Sequence, residues 1–370
     1  MALFPKNRNL AETLDRVELE VRASDFGLRG EDVAMRLDAF LCHHLTWRSR
    51  ASIQRLIKDG YVLVAASRPD DAPPGHRARA ANRPPPLLPP SAKPEVERRP
   101  GRRLLDSSRV VVVIPDELRI DLDPGTCGPV DILYEDEHLV AVDKPAGLVV
   151  HPSGRHMADT LIQRLHAHYL DTGGCEPGAI KLCHRLDRET SGVLLAAKDP
   201  ITHAAVRAAF ERHEVEKRYL AVVHGHPEHD EGTLDFDLGP SPTSEVRLKI
   251  AVQTGVWEAV TDYAVIERAT LPNGAPGALV ACLPKTGRQH QLRVHLAALG
   301  HSIVGDKLYG DDEGLFLRAS ADELTDADRA VLLLDHHALH NERLALTHPR
   351  TLERLELTAR LPEDVRALLV

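Results

Sequence analysis

KLCHRLDRETSGVLLAAKD, residues 181–199, is the stretch whose reading decides the fold. Charged and polar residues fill its first half, from His184 to Ser191. An apolar run, Gly192-Val193-Leu194-Leu195-Ala196-Ala197, follows at once. The apolar half reads as a buried strand, and a charge-dense loop delivered by such a strand holds reactive groups on a rigid scaffold. Asp187 has a cation on either side, Arg185 and Arg188, which favours its ionised form. The plain alternative is a surface turn whose Arg–Asp pairs are exposed and weak. The rest of the chain decides between the two.

With 370 residues, 43% hydrophobic and 27% charged, the composition is that of an ordinary globular protein with room for two or three domains. No run reaches the roughly eighteen apolar residues of a membrane span. The first residues, MALFPKNRNLAETLDR, lack a signal-peptide apolar region, so a cytoplasmic location and no membrane partner are expected. The five cysteines, 42, 127, 175, 183 and 282, show no CxxC spacing and read as reduced thiols. A net charge of -9 argues mildly against a nucleic-acid partner, but local patches carry that question.

Residues 1–32 hold seven carboxylates, Glu12 to Asp32, and read as an acidic leader. The alternation in LDRVELEVRAS fits an edge strand equally well. In residues 33–64, Leu37, Phe40 and Leu41 recur at helical spacing, as do Ile53, Leu56 and Ile57. Ser49 is placed to cap the second helix and Gly60 to stop it before the strand Tyr61–Val64. Arg48, Arg50, Arg55 and Lys58 cluster there. This stretch resembles an S4-type RNA-binding module, which implies that these four side chains meet RNA phosphates. A helical cap with a solvated basic face is the alternative. The chain then enters residues 65–103, with ten prolines and nine Lys or Arg against four Asp or Glu. Such proline density predicts a disordered insert. It is either a weak phosphate attractor or an insertion without a role. Leu104–Pro115, with Val110 to Ile114, would close the interrupted module, giving it bounds of 33–115.

From residue 129 onward the pattern is strand-rich. Ile132–Tyr134 and His138–Val142 suggest a hairpin, followed by the loop Lys144-Pro145-Ala146-Gly147-Leu148-Val149-Val150-His151-Pro152. His203–Phe210 is an alanine-rich helix, Lys217–Val223 a strand, and Thr286-Gly287-Arg288-Gln289-His290-Gln291-Leu292-Arg293-Val294-His295 a second polar-dense run. Gly305-Asp306-Lys307-Leu308-Tyr309-Gly310 follows it. These runs, with HRLDRETSG, resemble the KPxGLxVHP, HRLDxxTSG, KxY, TGRxHQxRxH and GDxxYG elements of the RluA-type pseudouridine synthases, in that family's order. Ser302 stands where the family commonly has proline.

The resemblance implies an α+β catalytic domain over 129–370, with a central mixed or antiparallel sheet, an RNA cleft and a small α/β S4-like module before it. It implies isomerisation of specific uridines in structured RNA, with ribosomal RNA of the large subunit favoured and transfer RNA the alternative. Asp187 matches the nucleophile, Arg288 the arginine that pairs with it, and Tyr219 the active-site tyrosine. Whether Asp187 attacks sugar or base stays open. Leu292 would wall the pocket, Lys217 would bind substrate, and Arg185 would fill the space left by the flipped uridine. His184 would brace the loop. No cofactor or metal is implied, and a monomer is expected.

Two other readings compete with this one. A metal hydrolase is disfavoured because His290 and His295, five apart, lie about 140° apart round a helix. His336, His337 and His340 lack an acid or cysteine at ligand spacing. A non-catalytic RNA-binding protein is disfavoured by the intact Asp187, Arg288 and Tyr219.

Overall fold

A computed structural model describes residues 16–21, 35–44, 50–65, 94–104, 108–113, 127–152, 159–175 and 179–370. The chain forms two compact units, one of residues 1–127 with 151–167, the other of 128–150 with 168–370.

The first unit contains β1 (Arg16–Glu20), β2 (Met35–Arg36), α1 (Leu37–His44), α2 (Arg50–Asp59), β3 (Val62–Ala65), β4 (Glu95–Val96), β5 (Arg103–Leu104) and β6 (Arg109–Val113). Its sheet runs β1-β6-β3-β4, and β2 pairs β5. Leu37, Phe40 and Leu41 of α1 pack with Ile53, Leu56 and Ile57 of α2 over Val62, Val64, Val110 and Val112. The helical spacing seen in the sequence therefore marks the buried faces. Gly60, at φ 89°, ends α2: its N–H donates to the Ile57 carbonyl and that of Tyr61 to Leu56. That is a left-handed glycine cap of the Schellman type.

Of the two readings of LDRVELEVRAS, the edge strand is the one found for residues 16–20: they pair antiparallel with β6 at the sheet edge, from Arg16↔Val113 to Glu20↔Arg109. The insert expected over 65–103 is corrected, being too long. Ala65 ends β3, and residues 94–104 return to pair Leu63↔Val96 and Met35↔Leu104. Glu97 anchors that return, taking Arg99 at 3.1 Å and Arg102 at 2.6 Å. Burial would raise the Glu97 carboxyl, but these two arginines hold it down at about 2. Residues 66–93, Ser49 and Arg48 lie outside the described residues.

The second unit is built on a ten-stranded sheet. Its elements in chain order are β7 (Asp131–Glu135), β8 (Leu139–Lys144), β9 (Lys181–Leu182), β10 (Ser191–Ala197), α4 (Pro200–Glu211), β11 (Glu216–His224) and β12 (Glu231–Asp235). There follow β13 (Leu238–Pro240), β14 (Ile250–Val252), β15 (Val260–Thr270), β16 (Pro276–Pro284), α5 (Gln291–Ala298), α6 (Gly314–Ser320), α7 (Asp326–Leu332), β17 (Leu339–Thr347), β18 (Arg354–Thr358) and α8 (Glu363–Arg366). Helix α3 (Leu161–Thr172) spans the boundary between the units. The sheet order is β12-β15-β16-β11-β17-β10-β8-β7, with β18 on β17 and β9 on β10, while β13 and β14 pair apart. Only the β10–β17 pairing is parallel, so this α+β sheet is mixed.

Strand β10 is buried at every residue, as its unbroken apolar run requires of a central strand. Asp199 caps α4 with bonds from the N–H groups of Ile201 and Thr202, and Pro200 takes the first helical position. Gly192 sits at φ 106° where β10 meets β17. A Cβ there would lie 2.2 Å from the Asn341 carbonyl oxygen. Among the described residues, no helix is long and apolar enough to cross a membrane.

Candidate active site

The loop between β9 and β10 carries the charged run, and it is fastened on several sides. Leu186 is buried and the Thr190 N–H closes a turn onto the Asp187 carbonyl at 3.2 Å. Thr190 and Ser191 hydroxyls pair with His337 Nε2 at 2.8 Å and His340 Nδ1 at 2.9 Å. The Lys144 ammonium, fully buried, donates to the carbonyls of Pro145, Leu148 and Arg188 at 2.8, 2.9 and 2.9 Å. The KPxG turn and the HRLD loop are thus joined by one side chain. Burial pulls Lys144 down to about 7, while three carbonyl acceptors call for all three donors of the charged form.

Asp187, 24% exposed, points into a cavity of about 380 Å³ also lined by Arg185, Lys217, Tyr219, Arg288 and Leu292. That size falls in the range of small-ligand sites. The cation on Asp187 is Arg293: its Nη1 donates to Asp187 Oδ2 at 3.3 Å, while Nε and Nη2 grip Asp306 at 2.6 and 2.8 Å. His290 Nε2 stands 3.8 Å from the same Asp187 oxygen. Burial would raise the Asp187 carboxyl, yet the positive charges of His290, Arg293 and His337 bring it below its ordinary value. Burial pulls both histidines to about 4, so near neutral pH Arg293 is the charge that keeps Asp187 ionised. The Ile250 N–H donates to the Tyr309 oxygen at 2.9 Å, and Tyr309 OH meets His290 Nδ1 at 2.7 Å. With Tyr309 donating, neutral His290 keeps its proton on Nε2, facing Asp187.

The expected Arg288–Asp187 pairing is corrected. Arg288 is exposed, and its Nε donates to the Glu258 carbonyl at 2.9 Å. The reason lies in position: Arg288 sits in the turn before α5, whereas Arg293 lies in α5 among buried Leu292, Val294 and Leu296. The signal was there. An arginine inside so apolar a helix needs a buried carboxylate. Sequence reading likewise passed over Asp306, fully buried and holding Arg293, and Lys144, His290 and His337.

Tyr219 is half-buried on β11, its phenol without a hydrogen-bond partner among the described residues, and burial followed by the Asp187 charge raises its pKa. Leu292 is buried on the cavity wall. Lys217 reaches the Thr286 carbonyl at 3.4 Å. His184 accepts from the Leu195 N–H at 3.0 Å and stacks on Phe210 with 4.8 Å between ring centres. Burial takes His184 down to about 3, leaving it neutral. Arg185 is exposed at the cavity, with neither a hydrogen bond nor an ion pair among the described residues. In the first unit Arg50 bonds Asp38 at 3.2 Å and Arg55 lies 3.6 Å from Asp59, while Lys58 is exposed.

The RNA pseudouridylate synthase family model matches residues 138–298, which include the loop of Asp187, Tyr219 and Arg293. An RNA pseudouridine synthase of Bacillus subtilis (strain 168) is 32% identical over 356 residues, covering 95% of this chain and 97% of that protein. The chain belongs to the RluA-type RNA pseudouridine synthases. The ribosomal large subunit pseudouridine synthase D of Neisseria meningitidis serogroup B (strain ATCC BAA-335 / MC58) is 31% identical, over 90% of this chain and 78% of that one. Human RNA Pseudouridylate Synthase Domain Containing 1 matches in structure with a TM-score of 0.50 and 27% identity, covering 62% of this chain and 83% of its own. This pseudouridine synthase is therefore an isomerase acting on RNA, and every residue lining the cavity around Asp187 except Leu339 falls in the family-matched region.

Proposed function

We propose that this synthase converts uridines of large-subunit ribosomal RNA to pseudouridine, with Asp187 as the reacting carboxylate. The observation that carries the chemistry is a largely buried, ionised Asp187 held by Arg293 inside a cavity of nucleoside size. The N1–C1′ bond breaks, the base turns, a C5–C1′ bond forms, and the C5 proton is replaced by one on N1. Asp187 supports the covalent or elimination step that frees the base. Arg293 keeps it ionised and oriented through a planar fork that lysine lacks. Tyr219 lines the cavity, its phenol without a hydrogen-bond partner among the described residues, and would stack on the base or relay a proton. Arg185, exposed and without a hydrogen bond or ion pair among the described residues, would enter the stack vacated by the flipped uridine, a deformation costing a few kcal/mol. The exposed Lys58 and Arg55 of α2 add sequence-independent grip on phosphate, as in an S4-like module.

Ribosomal RNA is favoured because several similar proteins are named for the large ribosomal subunit. Mapping pseudouridines in total RNA from cells with and without the protein tests this: a site lost from large-subunit ribosomal RNA supports it. Loss confined to transfer RNA would overturn the substrate and leave the chemistry. Because a carboxylate supplies the attack and no oxidation state changes, turnover should survive EDTA.

A further inference from the structure

Asp187 and Glu189 lie two residues apart on one loop, and a cation ties each to the turn 305–310. Asp187 is joined through Arg293 to Asp306. Glu189 takes the Lys307 ammonium on both oxygens at 3.0 Å, and Lys307 places a further donor on the Asp335 carbonyl at 2.7 Å. Asp306 and Lys307 are consecutive, so the two links hold the loop at points fixed relative to each other. Lys307 is 7% and Glu189 14% exposed, and neither lines the cavity. So deep a pair, reinforced by a carbonyl, is costly to break at one end.

We propose that the buried Lys307–Glu189 pair is a positioning device for the reaction: it sets the loop so that Asp187 meets Arg293, and it neutralises the loop's second carboxylate. The inference rests on Asp187 being the reacting group. The charged and titratable groups around Asp187 are Arg293 and His290 at α5, His337 before β17, Asp306 and Tyr309 of the turn, Tyr219 of β11, Lys144 of β8 and Arg185 of its own loop. Arg188 of the same loop also reaches Glu189, Nη2 to Oε1 at 3.0 Å, but it is exposed and solvent screens it, so Lys307 is the buried cation on Glu189. His337 Nδ1 stands 3.7 Å from Glu189, but burial keeps it neutral near pH 7. Without Lys307, Glu189 keeps only the solvent-screened Arg188 and opposes the charge on Asp187.

The test measures tritium release from RNA labelled at uridine C5 and taken from cells lacking the protein, across pH. Lys307→Met should lower kcat about tenfold or more with KM within about twofold, and move the acidic limb of the profile to higher pH. Lys307→Arg should keep most of the turnover. The double variant Glu189→Gln/Lys307→Met, with neither charge, should return the limb to its wild-type position. A folded Lys307→Met protein with the wild-type limb overturns the proposal, as does a double variant whose limb stays displaced. Should Lys307→Met fail to fold, Glu189→Gln decides: its unpaired ammonium should move the limb to lower pH, and an unmoved limb overturns the proposal. Asp187→Asn, run alongside, separates the two ideas. Turnover there removes the reading beneath the proposal, while an inactive Asp187→Asn with unmoved limbs elsewhere overturns the proposal alone.

Discussion

Arg293 stands between buried Leu292 and Val294 on α5, where a guanidinium is tolerable only against a carboxylate. It has two, Asp306 through a fork and Asp187 through its remaining nitrogen. Lysine keeps the charge but cannot hold both. Arg293→Lys should therefore reduce turnover at least about tenfold, or about 1.4 kcal/mol in the barrier, while Arg288→Lys, which disturbs one bond to a carbonyl, should cost less. Single-turnover rates of the two variants check the order, and a larger loss for Arg288→Lys would return the pairing to Arg288. Asp306 carries a pH signature as well. Burial opposes its charge, but Arg293 holds its carboxyl below the ordinary aspartate value. A carboxyl lowered on folding stabilises fully above its unfolded pKa and loses that contribution as pH falls towards the folded one. Melting temperature should then drop steeply below about pH 4 in the wild type. Asp306→Asn should start about 3–5 kcal/mol less stable and show a shallower drop.

At the scale of elements, β10 was legible because its apolar run is unbroken, and the paired helices of the first unit because their spacing is 3.6. What the chain hid was partnership. β1 could be read as leader or strand, since its alternation is short and flanked by acids; its pairing with β6 decides it. Residues 94–104 read as the tail of a proline-rich insert because the bonds that Glu97 takes from Arg98, Arg99 and Arg102 lie within it and leave no periodic trace. Asp187 was legible through the motif resemblance, but Arg293 was masked by Arg288 five residues earlier in the same motif. Gly192 belongs to this scale too. Its φ of 106° and the 2.2 Å approach of the Asn341 carbonyl leave no room for a methyl where β10 joins β17. Gly192→Ala should cost more than about 3 kcal/mol or prevent folding, by thermal melting and yield. A variant as stable as wild type would show that the crossing is looser than described.

For the whole molecule, the cavity residues lie in the second unit, and Arg55 and Lys58, proposed to meet phosphate, lie in the first. If α2 meets phosphate, replacing Arg55 and Lys58 together by serine should weaken RNA binding and lower its salt slope by up to about 2, with turnover at saturating RNA little changed. An unchanged slope would leave α2 as a solvated basic face. The most direct test of the account concerns one oxygen-to-nitrogen change in the second unit. Asp187→Asn keeps size and shape, removes the charge that Arg293 holds, and leaves every other cavity residue in place. Pseudouridine formation by the purified variant, measured beside its RNA affinity, should be abolished while binding persists. Appreciable pseudouridine formation by Asp187→Asn would contradict the account at its centre.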